Sequence, residues 1–258
     1  MSRTTQSEIM ENPCKKFLKW CTLKEVLIVD GDEVEKIKGG TWQYYDKDAE
    51  EKVNIKLPLT FALLNQDLVA FKGYDEKNKR GVWSNEVKDK DHVVNLRTKD
   101  EKLMSFKLSE YKVNKDTITG YGGKYTKSVY IAVLVQGKFE IWNLQLSGSS
   151  LTGAIDMDNP SPDEKEDGWF GFTKVNKSKL YSNFIDVAGF KPKKKGSSKF
   201  TIPVYSVGSE IEEGDVATLN ELDGQLNEYL AYYFKRPETE KPSSTPELEE
   251  AAKDETDY

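Results

Sequence analysis

The segment from Lys124 to Leu146 constrains the fold more than any other. In KYTKSVYIAVLV, Tyr125, Lys127, Val129, Ile131, Val133 and Val135 fall on one side of an extended chain. Lys124, Thr126, Ser128, Tyr130, Ala132 and Leu134 fall on the other. This two-residue period, with its β-branched and aromatic content, predicts a long strand. Gly137-Lys138 then turns the chain into Phe139–Leu146, FEIWNLQL, which alternates again. The two runs predict a long β-hairpin, and Gly120, Gly122 and Gly123 predict a bulge or tight bend just before it. Any fold for this chain has to be built around a sheet.

Shorter runs extend the pattern. Thr41–Tyr45 and Val53–Leu57 flank a turn at Asp46–Ala49, and Thr60–Leu64, Leu68–Phe71, Val82–Val87 and Val93–Arg97 read as further strands. Phe184–Phe190 and Phe200–Val207 predict a second hairpin whose tip, Lys191–Ser198, is strongly basic. Met104–Val113 fits neither period cleanly, and Trp169–Leu180 has room for a short helix. One strong helix is predicted at 215–235, where Val216, Leu219, Leu222, Leu226, Leu230, Tyr233 and Phe234 recur at spacings of three and four. Asp215 suits its N-cap, Lys235 and Arg236 suit its C-terminal end, and Pro237 stops it. The expected class is mainly β with some α, an antiparallel barrel with an added hairpin and a C-terminal helix.

Charge divides the chain further. Of 258 residues, 38 are Lys or Arg and 44 are Asp or Glu. Residues 237–258 hold eight acids against two lysines, so they carry the whole net charge of −6, and their three prolines oppose helix and strand. The stretch is expected to be a disordered acidic tail, following a folded domain over 12–236 and a flexible N-terminus over 1–11. Lys72 to Lys127 carries 14 bases against nine acids, and Lys174 to Thr201 carries eight lysines against Asp186 alone. Between them lies an acidic stretch, Asp156 to Gly168. With 11% aromatic residues, the domain is expected to bury a core.

Little here speaks for an enzyme. His92 is the one histidine, which argues against a histidine-based catalytic triad or a His-rich metal site. Cys14 and Cys21 predict reduced thiols, buried as small hydrophobes, and not a zinc site or disulfide scaffold. No Walker, GxGxxG, HExxH or GxSxG motif occurs. Tyr121-Gly122-Gly123-Lys124 resembles a phosphate loop but lacks its spacing and is read as a strand bulge. The acidic run at Asp156, Asp158 and Asp163 does not fit an EF-hand. No catalytic residue, metal or cofactor is predicted. No apolar run approaches the length of a membrane span, and residues 1–11 lack the apolar segment of a signal peptide.

Binding of single-stranded nucleic acid has more behind it. It needs a basic groove for phosphates and aromatic faces for bases. Trp83, Lys88, Arg97, Lys124, Tyr125, Lys127 and Tyr130 interleave both kinds of residue, and Lys193, Lys194, Lys195 and Lys199 add the basic tip of the second hairpin. Tyr125 and Tyr130 lie on opposite faces of their strand, so one of them is expected to be a packing residue. A terminal acidic tail would compete for such a groove and offer a handle to partner proteins.

Several short motifs carry a family resemblance. They are Asn12–Trp20 (NPCKKFLKW), Trp42–Lys47 (WQYYDK), Gly81–Val87 (GVWSNEV), Gly123–Tyr130 (GKYTKSVY), Leu146–Leu151 (LSGSSL) and Phe200–Tyr205 (FTIPVY). Together they resemble single-stranded DNA-binding proteins of tailed phages, notably the crAss-like group, over roughly residues 12–235. The resemblance implies an OB-fold barrel with a nucleic-acid groove. It also implies a role in DNA replication, recombination or repair in the cytoplasm of an infected bacterial host. The tail is similar to that of podovirus single-stranded DNA-binding proteins, which recruits polymerase and primase-helicase. That role would fall here to Asp254, Glu255, Asp257 and Tyr258. Self-association into a homo-oligomer is left open, and no membrane partner is implied. Two other classes remain as rivals: a β-rich virion or carbohydrate-binding module, and a metal-dependent phosphoryl-transfer enzyme.

Overall fold

A computed structural model describes residues 10–21, 25–29, 32–37, 39–154, 167–195 and 198–235; side chains at 25–29, 32–37, 195 and 198 are outside the description. The expected N-terminal arm, most of the acidic stretch and the tail at 237–258 therefore lie outside the described residues, apart from 10, 11, 167 and 168.

The long hairpin is present as predicted. In chain order the strands are β1 (Lys16–Cys21), β2 (Glu25–Val29), β3 (Asp32–Ile37), β4 (Thr41–Asp46), β5 (Glu51–Ile55), β6 (Leu59–Asp75), β7 (Arg80–Ser84), β8 (Val93–Arg97) and β9 (Lys102–Lys107). After helix α1 (Tyr111–Gly120) come β10 (Gly123–Val135) and β11 (Lys138–Leu146), the two arms of the hairpin. Short helix α2 (Ser149–Thr152) and helix α3 (Gly168–Val175) follow. The chain continues through β12 (Asn183–Lys195) and β13 (Ser198–Glu210) into helix α4 (Glu213–Lys235). The molecule is mainly β, and its C-terminal helix begins two residues before the predicted start.

Eleven of the strands form one sheet along the path β5-β4-β1-β11-β10-β6-β7-β8-β9, with β12 joined to β6 and β13 to β12. Two expectations are corrected. The described path is open, with β5 and β9 at its ends, so it is not a closed barrel. It is also mixed, because β1 runs parallel to β11. Lys16–Cys21 was not read as a strand. It takes the free edge of β11, which puts the hairpin inside the sheet instead of at its border.

The central strands are buried on both faces. Val129, Ile131 and Val133 of β10 join a core with Trp20, Trp42, Trp142 and Trp169, which α2, α3 and β13 help to close. Tyr130 and Ala132, alternating with them, join a second core with Leu226, Tyr229, Leu230 and Tyr233 of α4. The half of β6 near Phe71 packs with β7 to β9 and α1 into a third. The bend before β10 depends on glycine. Gly122 has φ +80°, and a Cβ on Gly73 would lie 2.0 Å from the Gly122 carbonyl oxygen. Backbone meets backbone there, so the segment that resembled a phosphate loop is a tight bend with its space already filled.

Candidate nucleic-acid interface

Strand register assembles a basic and aromatic row that sequence spacing alone does not show. Lys124 of β10 pairs with Lys72 of β6, Lys72 with Trp83 of β7, Trp83 with Arg97 of β8, and Arg97 with Lys102 of β9. Directly paired residues project from the same face of a sheet. Four strands thus place three cations and one indole on one line, and Lys102 of β9 stands at its end across a register shift between the Leu96 and Arg97 pairs. Three of the sequence candidates, Trp83, Arg97 and Lys124, meet in it. Lys72 and Lys102 were not singled out, because their membership depends on pairing between strands far apart in sequence.

The row is graded in exposure. Lys124 and Lys102 at its ends are exposed, Arg97 is half-buried, and Trp83 and Lys72 are only 5% and 6% exposed. The Lys72 ammonium lies 5.8 Å from the centre of the Phe17 ring. Two buried donors of the row, Trp83 Nε1 and Arg97 Nε, have no hydrogen-bond partner among the described residues. A buried donor left in that state costs about 1–3 kcal/mol.

Beside the row is a buried carboxylate. Glu86 Oε1 accepts a short hydrogen bond from Ser128 Oγ, and Oε2 accepts one of 2.9 Å from the Tyr130 hydroxyl. The Glu86 amide donates to the Tyr233 hydroxyl oxygen at 3.0 Å, which fastens the end of α4 to this loop. Burial, with the Glu86 carboxylate next to it, pushes the Tyr130 phenol well above its ordinary range.

The stacking candidates need correction. Tyr130 is 1% exposed and committed to Glu86, so it belongs to the core. Trp83 is buried and offers no open ring face. Tyr125 is half-buried against Phe71 and Tyr111, with ring centres 5.8 and 5.5 Å away. Burial, and then Tyr111, raise its phenol pKa. All three are aromatic for packing reasons, because β6, β7 and β10 are covered on both sides.

The remaining basic candidates scatter. Lys88 is exposed in the loop after β7, where its amide and that of Asp89 donate to His92 Nδ1, and His92 stacks on Phe234. Lys127 faces away from the row, half-buried, and burial lowers its ammonium pKa against the pull of Asp67. Lys193 lies 2.6 Å from Asp167, which also holds Lys191 at 3.4 Å, so its charge is largely compensated. Lys194 and Lys199 are exposed and directly paired across β12 and β13. Like charges placed opposite each other repel unless an anion lies between them. The side chain of Lys195 and the tail residues Asp254, Glu255, Asp257 and Tyr258 lie outside the described residues.

Among the described residues no helix is long and apolar enough to cross a membrane. Comparison of the chain with protein-family models, with curated proteins and with solved structures gave no match.

Proposed function

We propose that the protein binds single-stranded DNA without strong sequence preference, as a non-enzymatic component of phage DNA replication, recombination or repair. The observation that carries this reading is the cross-strand row Lys124–Lys72–Trp83–Arg97–Lys102. A line of cations across adjacent strands is spaced at about 4.8 Å per strand, close enough to follow a flexible phosphate backbone. The paired Lys194 and Lys199 extend the same demand for an anion to the second hairpin.

The reading carries two finer parts. One is an OB-like architecture, in which the groove lies on a curved antiparallel part of the sheet from β10 through β6 to β9. The other is an acidic tail at 237–258 that competes for the groove and recruits a polymerase or primase-helicase. Both come from the family resemblance, and the setting would be the cytoplasm of an infected bacterium. A gel shift with labelled single-stranded and duplex oligonucleotides, with and without magnesium, tests the reading. Retention of the single strand without cleavage supports it. Magnesium-dependent cleavage makes the protein a nuclease, and no retention of either DNA removes nucleic acid from its function.

A further inference from the structure

Trp83, Tyr125 and Tyr130 are packing residues, so a base-stacking surface on the side of the cationic row has to come from another ring. Helix α4 lies on that side. Tyr130 and Ala132, which share the Lys124 face of β10, form one core with Tyr233, and Phe234 packs against it. The Phe234 ring meets Tyr233 edge-on and stacks on His92, with the Phe234 and His92 ring centres 5.3 Å apart and their planes 29° from parallel. His92 stands directly before β8, the strand that carries Arg97 of the row.

The imidazole is held on three sides. The amides of Lys88 and Asp89 donate to Nδ1 at 3.2 and 3.3 Å, which puts the ring proton on Nε2, 3.3 Å from Asp89 Oδ2. Phe234 backs one face. With both nitrogens engaged, the exposed 37% of the side chain is the other face and the carbon edge. Closing the loop needs only an acceptor, which an asparagine would supply; it does not need a flat ring. A ring fixed in this way loses little freedom when a flat ligand stacks on it, and histidine is among the side chains on which bases stack.

The surface between this ring and the row is polar. On β8, Asn95 and Val93 alternate with Arg97 on its face of the sheet, and they pair directly with Ser105 and Lys107 of β9. Ser105 and Lys107 are exposed, and the half-buried Asn95 accepts a 2.6 Å hydrogen bond from Ser105 Oγ. Lys88 and Lys90 are exposed beside the ring, against Asp89 and Asp91 in the same loop. The path from Arg97 to His92 is about 17 Å along the strand.

Resting on the nucleic-acid reading above, we propose that His92, backed by Phe234, is a base-stacking platform for single-stranded DNA, reached from Arg97 past Asn95 and Ser105. Lys88 and Lys107 take the phosphates beside the stacked base.

The test compares a deoxyadenosine homopolymer with an abasic oligomer of equal length and charge, on the full chain. His92 is the chain's single histidine, so the carbon-bound protons of its imidazole report on this site alone. Their nuclear magnetic resonance signals should move upfield with the adenosine strand, under the ring current of a stacked base, and should not do so with the abasic one. By fluorescence anisotropy the wild type should prefer the adenosine strand. H92N, which keeps an acceptor for the two amides and removes the ring, should lose about fivefold or more of that affinity, keep its affinity for the abasic strand and melt like the wild type. If both strands bind but neither moves the His92 signals upfield, or both move them equally, the platform is refuted while the nucleic-acid reading stands. H92N binding both strands like the wild type, or losing equally on both, refutes it as well. A wild type that binds neither strand would remove the nucleic-acid reading itself.

Discussion

Tyr130 is buried in the core and Tyr205 is partly buried against it, and both hydroxyls are buried, but they differ in what they meet there. Tyr130 donates to Glu86 Oε2, whereas the Tyr205 hydroxyl has no hydrogen-bond partner among the described residues and sits against the rings of Trp169 and Phe172. Tyr130→Phe should therefore cost about 1–3 kcal/mol, because it leaves a carboxylate oxygen buried and unmet. Tyr205→Phe should be neutral or stabilising, because it removes an unpaired polar atom and keeps the ring. Urea denaturation of the two variants beside the wild type checks the contrast. Burial raises both phenol pKa values, and for Tyr130 the Glu86 carboxylate adds to it. Their contribution is thus fully present below the unfolded tyrosine value of about 10 and is lost above it, as the unfolded chain ionises first. The denaturation midpoint should fall as pH rises past that value, and less steeply in Tyr130→Phe. The aromatic residue types were legible in the sequence, but their roles were not. Alternation tells which side chains share a face of β10; it does not tell that both faces are covered.

Elements were legible where their periodicity is local. The β10–β11 hairpin and α4 both follow their predicted patterns, since a strand's alternation or a helix's apolar stripe is written within one segment. Two predicted strands, Thr60–Leu64 and Leu68–Phe71, are instead one strand of 17 residues. The polar Asn65-Gln66-Asp67 separates the two predicted runs, but β6 continues through it with register shifts against β10. β1 went unread because its six residues, KFLKWC, do not alternate cleanly between polar and apolar and its parallel partner β11 is more than 100 residues away. Helix α4 offers a test at this scale. It covers one face of the central sheet through Leu226 and is fastened at its end by the Tyr233 hydroxyl to the Glu86 amide. Leu226→Ala should cost about 2–5 kcal/mol. If the helix is part of a single cooperative unit, far-ultraviolet circular dichroism and tryptophan fluorescence should lose signal at the same, lowered midpoint. A separate earlier loss of helicity would show that α4 is an attachment and not a wall of the core.

For the whole molecule, charge arithmetic and strand register point the same way. Residues 1–236 hold as many bases as acids, and the net −6 lies in 237–258. Deleting 237–258 leaves every described element in place, so the melting temperature should hardly move. Affinity for single-stranded DNA should rise, most at low salt, because a tethered anion competes at high effective concentration and is screened by ions. A truncated chain that binds more weakly would assign the tail a supporting role. The central claim is that phosphates lie along the cross-strand row, and its most direct test is the salt dependence of binding. For single strands the logarithm of affinity falls with the logarithm of salt by about 0.7 per phosphate neutralised. Lys102 and Lys124, the two exposed ends of the row, can be replaced without disturbing the core. The account predicts that Lys102→Ala with Lys124→Ala reduces the magnitude of the wild-type slope by about 1.4, that is about 0.7 for each lysine removed. It also predicts an unchanged melting temperature. A slope equal to the wild type's would place the phosphates elsewhere and contradict the account.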